Sequence, residues 1–204
     1  AAALLTDTAA KLTEHPEAQF HLGMANYMRG DIRAAELSLR RALALSEAFP
    51  GAEEARQRLA LLASNTSNSS SQSVADLQKL LDAQPKDPVV LMRLADLQAA
   101  QGAANDARAS YERLLELTPK SASALIRLAA LHAGKLGDPA KAMELAKQAR
   151  QLAPNDFAVA RQFGQIAFQA GQHEWAASVL QECAQKPAPP SDLLYDLALA
   201  LYSI

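Results

Sequence analysis

The sequence is short of the residues on which most other kinds of fold and chemistry depend. Only 5% of its 204 residues are aromatic, and β-branched residues are scarce, so a β-sandwich or barrel lacks its usual material. One cysteine, Cys183, excludes an internal disulfide framework. The four histidines, His15, His21, His132 and His173, are dispersed and make no metal-ligand spacing with a carboxylate or thiol. Neither charge sign dominates: 20 Lys plus Arg stand against 22 Asp plus Glu, a net −2. A polyanion binder needs a basic surplus to neutralise phosphates, so nucleic acid is not an expected partner. No apolar run approaches the roughly 20 residues of a membrane helix, and no secretory leader is recognisable. The first residue is Ala rather than Met, which leaves room for a removed targeting segment. What remains is a chain that is 50% hydrophobic, mostly through Ala and Leu, both strong helix formers. A soluble, helix-rich protein is expected.

Three features share one period. Pro16, Pro50, Pro85, Pro119 and Pro154 stand 34, 35, 34 and 35 residues apart, and proline cannot continue a helix. A large residue followed by a tiny one recurs as Leu22-Gly23, Leu59-Ala60, Leu94-Ala95, Leu128-Ala129, Phe163-Gly164 and Leu197-Ala198. Gly30, Gly102, Gly137 and Gly171 follow their pairs by seven to nine residues, where a left-handed turn ends a helix. Five residues after each glycine comes a small residue, Ala35, Ala107, Ala142 or Ala176, at which two helices can approach closely.

Each unit therefore reads as two antiparallel helices and a tight turn. The clearest has a first helix at Val89 to Ala100 and a second at Asn105 to Leu117. Leu91, Leu94, Ala95 and Leu97 on the one, and Ala107, Tyr111, Leu114 and Leu115 on the other, follow helical spacing. One hairpin cannot bury its own apolar stripe, so neighbours must stack.

This pattern resembles the tetratricopeptide repeat. Leu91, Leu94-Ala95, Gly102, Ala107, Tyr111, Leu114 and Pro119 match its signature in order, as do Phe163-Gly164, Gly171, Ala176, Leu180 and Cys183. Leu22-Gly23, Gly30, Ala35, Leu39 and Ala42 give a third copy, whose second helix reads as running on to about Ala48. The resemblance implies an all-α, right-handed superhelical solenoid of about five hairpins with partial units at both ends. Residues 1–204 form a single array: 1–15 the second helix of a truncated unit, then units at 16–50, 51–86, 87–120, 121–155 and 156–189, with 190–204 a first helix without its partner. Unit 51–86 is degenerate, with an uncharged polar stretch at 64–73 that reads as a loop and a short second helix at Val74 to Ala83. The terminal helices lack a polar outer face, so the chain reads as a piece of a longer array, prone to self-association through its ends.

No chemistry-bearing constellation is visible. There is no phosphate loop or dinucleotide fingerprint. Gly134 to Gly137 lies at an interhelical turn, and Cys183 falls at a small packing position, where a buried structural thiol is the simpler reading. No catalytic residue, cofactor or metal is expected. The resemblance implies instead a non-catalytic scaffold whose first helices line a concave groove for a peptide or a partner-protein segment. At corresponding places of the repeats stand Arg58, Arg93 and Arg127, with Arg161 one place earlier in its unit. Such a column would offer forked donors to acidic groups, but the same arginines can pair with Asp96, Glu54 or Glu112 within the scaffold. The chaperone-tail clamp of the family wants Lys and Asn where Phe20 and Met24 stand, so that ligand is not implied. Phe20, Met24, Tyr27 and Met28 form either an apolar pocket or inter-helix core. Two alternatives stay open: a regulatory or docking arm of a larger enzyme, or a component of a bacterial secretion or envelope assembly, placing the chain in a bacterial cytoplasm or periplasm.

Overall fold

A computed structural model describes residues 13–63 and 73–204. Most of the expected helix at 1–15 and of the polar stretch at 64–73 lies outside the described residues. Among these there are eleven helices and no strand. In chain order they are α1 (Pro16–Met28), α2 (Ile32–Leu45), α3 (Ala52–Ala63), α4 (Val74–Ala83), α5 (Pro88–Ala100), α6 (Ala104–Leu117), α7 (Ala122–Ala133), α8 (Pro139–Leu152), α9 (Phe157–Gln169), α10 (His173–Ala184) and α11 (Ser191–Tyr202). The chain divides into two compact units, 1–94 and 95–204, each considered by itself below. The class is the all-α solenoid of helical hairpins.

Local chemistry explains where helices begin. Asp31, Ser121, Asp138 and Asp156 each accept a backbone N–H of the first turn that follows them, satisfying donors that have no intrahelical partner. Ser73 and Asp76 form a reciprocal capping box that starts α4 at Val74. The turns between paired helices use glycine as expected, with Gly102 at φ 87° and Gly171 at φ 75°, a region that costs a side-chain-bearing residue energy.

Two of the large-tiny pairs, Leu22-Gly23 and Phe163-Gly164, are seats for a leucine. A Cβ on Gly23 would lie 2.7 Å from Leu39 of α2, and one on Gly164 would lie 2.7 Å from Leu180 of α10. In both hairpins the glycine lets the second helix press its leucine, sixteen residues on, against the backbone of the first. Leu39 and Leu180 are fully buried in consequence, as are the small residues Ala35, Ala107, Ala142 and Ala176.

One helix is shorter than its sequence suggests. Helix α2 stops at Leu45 rather than near Ala48, because Ser46 takes an extended conformation and its hydroxyl bonds the backbone of Ala48. The chain then turns Phe49 back against Phe20, ring centres 5.8 Å apart. That exchange trades one helical turn for burial of an aromatic ring.

Candidate functional site

The first helices α3, α5, α7 and α9 carry the arginines. In unit 1, Arg58 of α3 reaches the carboxylate of Asp87, at the start of α5, and also lies 3.2 Å from Glu54. Asp87 is a hub. It accepts the Tyr27 hydroxyl at 3.0 and 3.1 Å and the backbone N–H groups of Val89 and Val90 at 3.0 and 3.1 Å, thereby capping α5. The Arg58 guanidinium lies 4.9 Å from the centre of the Tyr27 ring, a cation–π contact. Tyr27 and Asp87 are buried and Arg58 nearly so. Burial, reinforced by the Asp87 charge, pushes the Tyr27 phenol well above its usual range.

Unit 2 contains the same three residue types in looser form. Asp96 of α5 accepts the Tyr111 hydroxyl of α6 at 2.6 Å and an Arg127 nitrogen of α7 at 2.5 Å. Tyr111 is buried, and its phenol is likewise pushed up by burial and Asp96. Arg127 and Asp96, however, remain 46% and 33% exposed. Further on, Arg161 of α9 meets Asp192 of α11 at 2.5 Å and Asp196 at 3.7 Å, while the Gln165 amide donates to Asp196 at 2.7 Å. Arg161 beside Asp192 holds that carboxyl below its ordinary range.

Asp96 to Arg127, Arg161 to Asp192 and Gln165 to Asp196 are all separated by 31 residues, one repeat less about a helical turn. Polar residues of successive first helices thus tie neighbouring repeats together within unit 2. Arg150 of α8 and Glu182 of α10 do the same on the second helices, at 2.8 and 2.9 Å.

Of the expected site residues, Arg58 and Arg127 take the in-scaffold partners Glu54 and Asp96. Arg93 is half-buried on α5, where burial lowers its pKa. Phe20 and Tyr27 lie in the core of unit 1 with Leu39, Leu62 and Val89, and Met24 packs against that cluster. Met28, at the end of α1, is 47% exposed. Beside it an open depression of about 340 Å³ is lined by Met28, Arg58, Gln84, Pro85, Lys86 and Asp87. Asp87 and Lys86 were not among the expected residues. The signal was present in Asp87-Pro88, a helix-start pattern, and in a core tyrosine whose hydroxyl needs a partner.

Cys183 is buried, and burial with nearby Glu182 pushes its thiol up, which suits packing and disfavours a nucleophile. Among the described residues no group of His, Cys, Asp and Glu is placed to hold a metal ion. No described helix is long and apolar enough to cross a membrane.

Hairpins of this length, closed by a glycine turn and keyed by a leucine in a small-residue seat, define a class of helical-repeat protein. The tetratricopeptide repeat family model matches residues 58–122 and 92–157, and with that match the chain belongs to the tetratricopeptide repeat superfamily. No curated protein matches it. Solved structures share its fold. A tetratricopeptide repeat protein from Parabacteroides merdae is 16% identical, with a TM-score of 0.59 over 92% of this chain and 73% of that one. A thermophilic tetratricopeptide repeat protein from Thermus thermophilus is 19% identical, with a TM-score of 0.57 over 92% and 99%. Yeast Tom70 is 19% identical, with a TM-score of 0.57 over 97% of this chain, which spans 42% of that longer protein.

Proposed function

We propose that the chain is a non-catalytic scaffold that binds a segment of another protein on unit 1, at the depression beside Arg58. The observation that carries this reading is the composition of that depression. It sets an exposed Met28 side chain and Pro85 beside the cations Arg58 and Lys86, and its residues from Arg58 to Asp87 fall within the match to the tetratricopeptide family. A methionine can fit varied apolar groups, and Lys86 disfavours a basic residue beside it. The fitting ligand is an extended or helical segment with an apolar residue for Met28 and an acidic group for Lys86 and the outer edge of Arg58. Most of the Arg58 fork is already engaged by Asp87 and Glu54, so the acidic contact contributes less than a free guanidinium would. Arg127 of unit 2, half-exposed in its pair with Asp96, offers a second place where a ligand carboxylate can exchange with a scaffold one. Affinity is expected in the micromolar range, on the order of 1–100 μM, because ordering the segment offsets much of the contact energy.

The test is a peptide array screened with the protein and with a Met28→Glu/Lys86→Glu variant, which leaves the buried Tyr27–Asp87–Arg58 network intact. Peptides pairing an acidic with an apolar residue should be retained by the protein and lost by the variant. Equal retention by both, or no preference over scrambled peptides, would reject the site.

A further inference from the structure

Three side chains surround the Arg58 guanidinium at the depression, and they hold it very differently. The Tyr27 ring lies under its face, with the ring centre 4.9 Å away. Asp87 takes Nη1. Its carboxylate, only 2% exposed, also accepts the Tyr27 hydroxyl and the backbone donors of Val89 and Val90. Parting Asp87 from Arg58 would disturb every one of these bonds, so that edge is fixed. Glu54 meets Nη2 at 3.2 Å, longer than the roughly 2.7–2.9 Å usual for a charged pair. Glu54 is 46% exposed, stands one turn before Arg58 on α3, and has Arg58 as its partner among the described residues. This edge is the one that can change hands.

We propose that Glu54 is a built-in competitor of the bound segment: the segment's acidic group is a carboxylate that replaces Glu54 on Nη2 of Arg58. The proposal rests on segment binding beside Arg58 and names the contact that such a segment must break. A carboxylate fits that edge because it repeats the group already there. The guanidinium need not move, since the Tyr27 face and Asp87 keep it in place while Nη2 changes partner. An exposed pair four residues apart on one helix is worth little to the scaffold, so Glu54 weakens binding without closing the site. Lys86, on the far side of the sequence gap from α3, lines the same depression and serves the incoming acid as a second cation.

The test uses peptides of about ten residues, each with one Leu and one Glu at varied spacing in a Gly-Ser background, and the same set with Gln for Glu. Binding is followed by fluorescence anisotropy. Glu54→Gln should tighten the Glu peptides roughly two- to fivefold, the equilibrium weight of one exposed ion pair, and leave the Gln peptides unchanged. Glu53→Gln removes the same charge from the same first turn of α3 but touches Arg56 rather than Arg58, and should change neither set. If Glu peptides bind the protein and Glu54→Gln brings no gain, the exchange is wrong while the site stands. Equal gains in both variants would assign the effect to net charge and overturn the exchange. Weaker binding in Glu54→Gln, with helical circular dichroism unchanged, would make Glu54 a contact and overturn it too. Failure of every peptide to bind the protein itself would remove the site and the exchange together.

Discussion

Both units contain a tyrosine, an aspartate and an arginine in mutual contact, yet the two clusters are not equivalent. In unit 1, Asp87 is closed off from solvent and also caps α5, so it satisfies a phenol, a guanidinium and two backbone donors at once. In unit 2, Asp96 and Arg127 stay in contact with water and serve Tyr111 and each other. The difference teaches that the same residue types can be a buried keystone in one repeat and an exchangeable surface pair in another. Burial, not the list of partners, sets the energetic weight.

The largest expected effect breaks the comparison at its centre. Asp87→Ala leaves Arg58 and Tyr27 without their acceptor and should destabilise by about 3–5 kcal/mol in urea titrations. Asp96→Ala should cost only about 1–2 kcal/mol, one buried tyrosine hydrogen bond plus a half-exposed ion pair. Equal losses would show that the burial argument is wrong. Packing gives a control in which the units should agree. Gly23→Val and Gly164→Val each force a leucine out of its seat and should cost about 1–3 kcal/mol, alike in both units.

Alkaline pH gives a smaller, distinguishable signature. The Tyr27 and Tyr111 phenols are raised in the folded chain, so their stabilising contribution is complete below the ordinary phenol pKa near 10. It is lost as pH climbs from there towards the folded value, since the unfolded chain ionises first. Urea midpoints should therefore fall as pH rises above about 10, and Tyr27→Phe with Tyr111→Phe should flatten that fall. At the other extreme, Asp192 is lowered by Arg161. Its contribution is present above the ordinary carboxylate pKa near 4 and fades as pH drops through the folded value. Protection factors of the α11 amides, taken against intrinsic exchange at each pH, should fall at low pH, and Asp192→Asn should abolish that acid dependence. This is the smallest effect, because the group is exposed.

Much of the fold was legible because period and chemistry coincide. The Leu-Gly and Phe-Gly pairs, the turn glycines and the small residues such as Ala35 and Ala176 all answer to one constraint, the close approach of two helices. The end of α2 was not legible, since Ser46 and Phe49 terminate it through an extended residue and a distant ring, Phe20. The candidate site was only half legible. A column of arginines can be read from spacing, but whether Arg58 faces a ligand or Asp87 depends on a residue 29 positions away. The stripe Phe20, Met24, Tyr27 and Met28 divides for the same reason. Helical geometry gave its members one face in outline, and only tertiary packing separates core Tyr27 from exposed Met28.

The most direct test of segment binding follows amide hydrogen exchange with and without a peptide chosen from the array. Protection should appear at Met28 and across Gln84 to Asp87, with no change around Asn105 to Leu117 on the second helix of unit 2. Protection confined to other surfaces, or none at saturating peptide, would contradict the account.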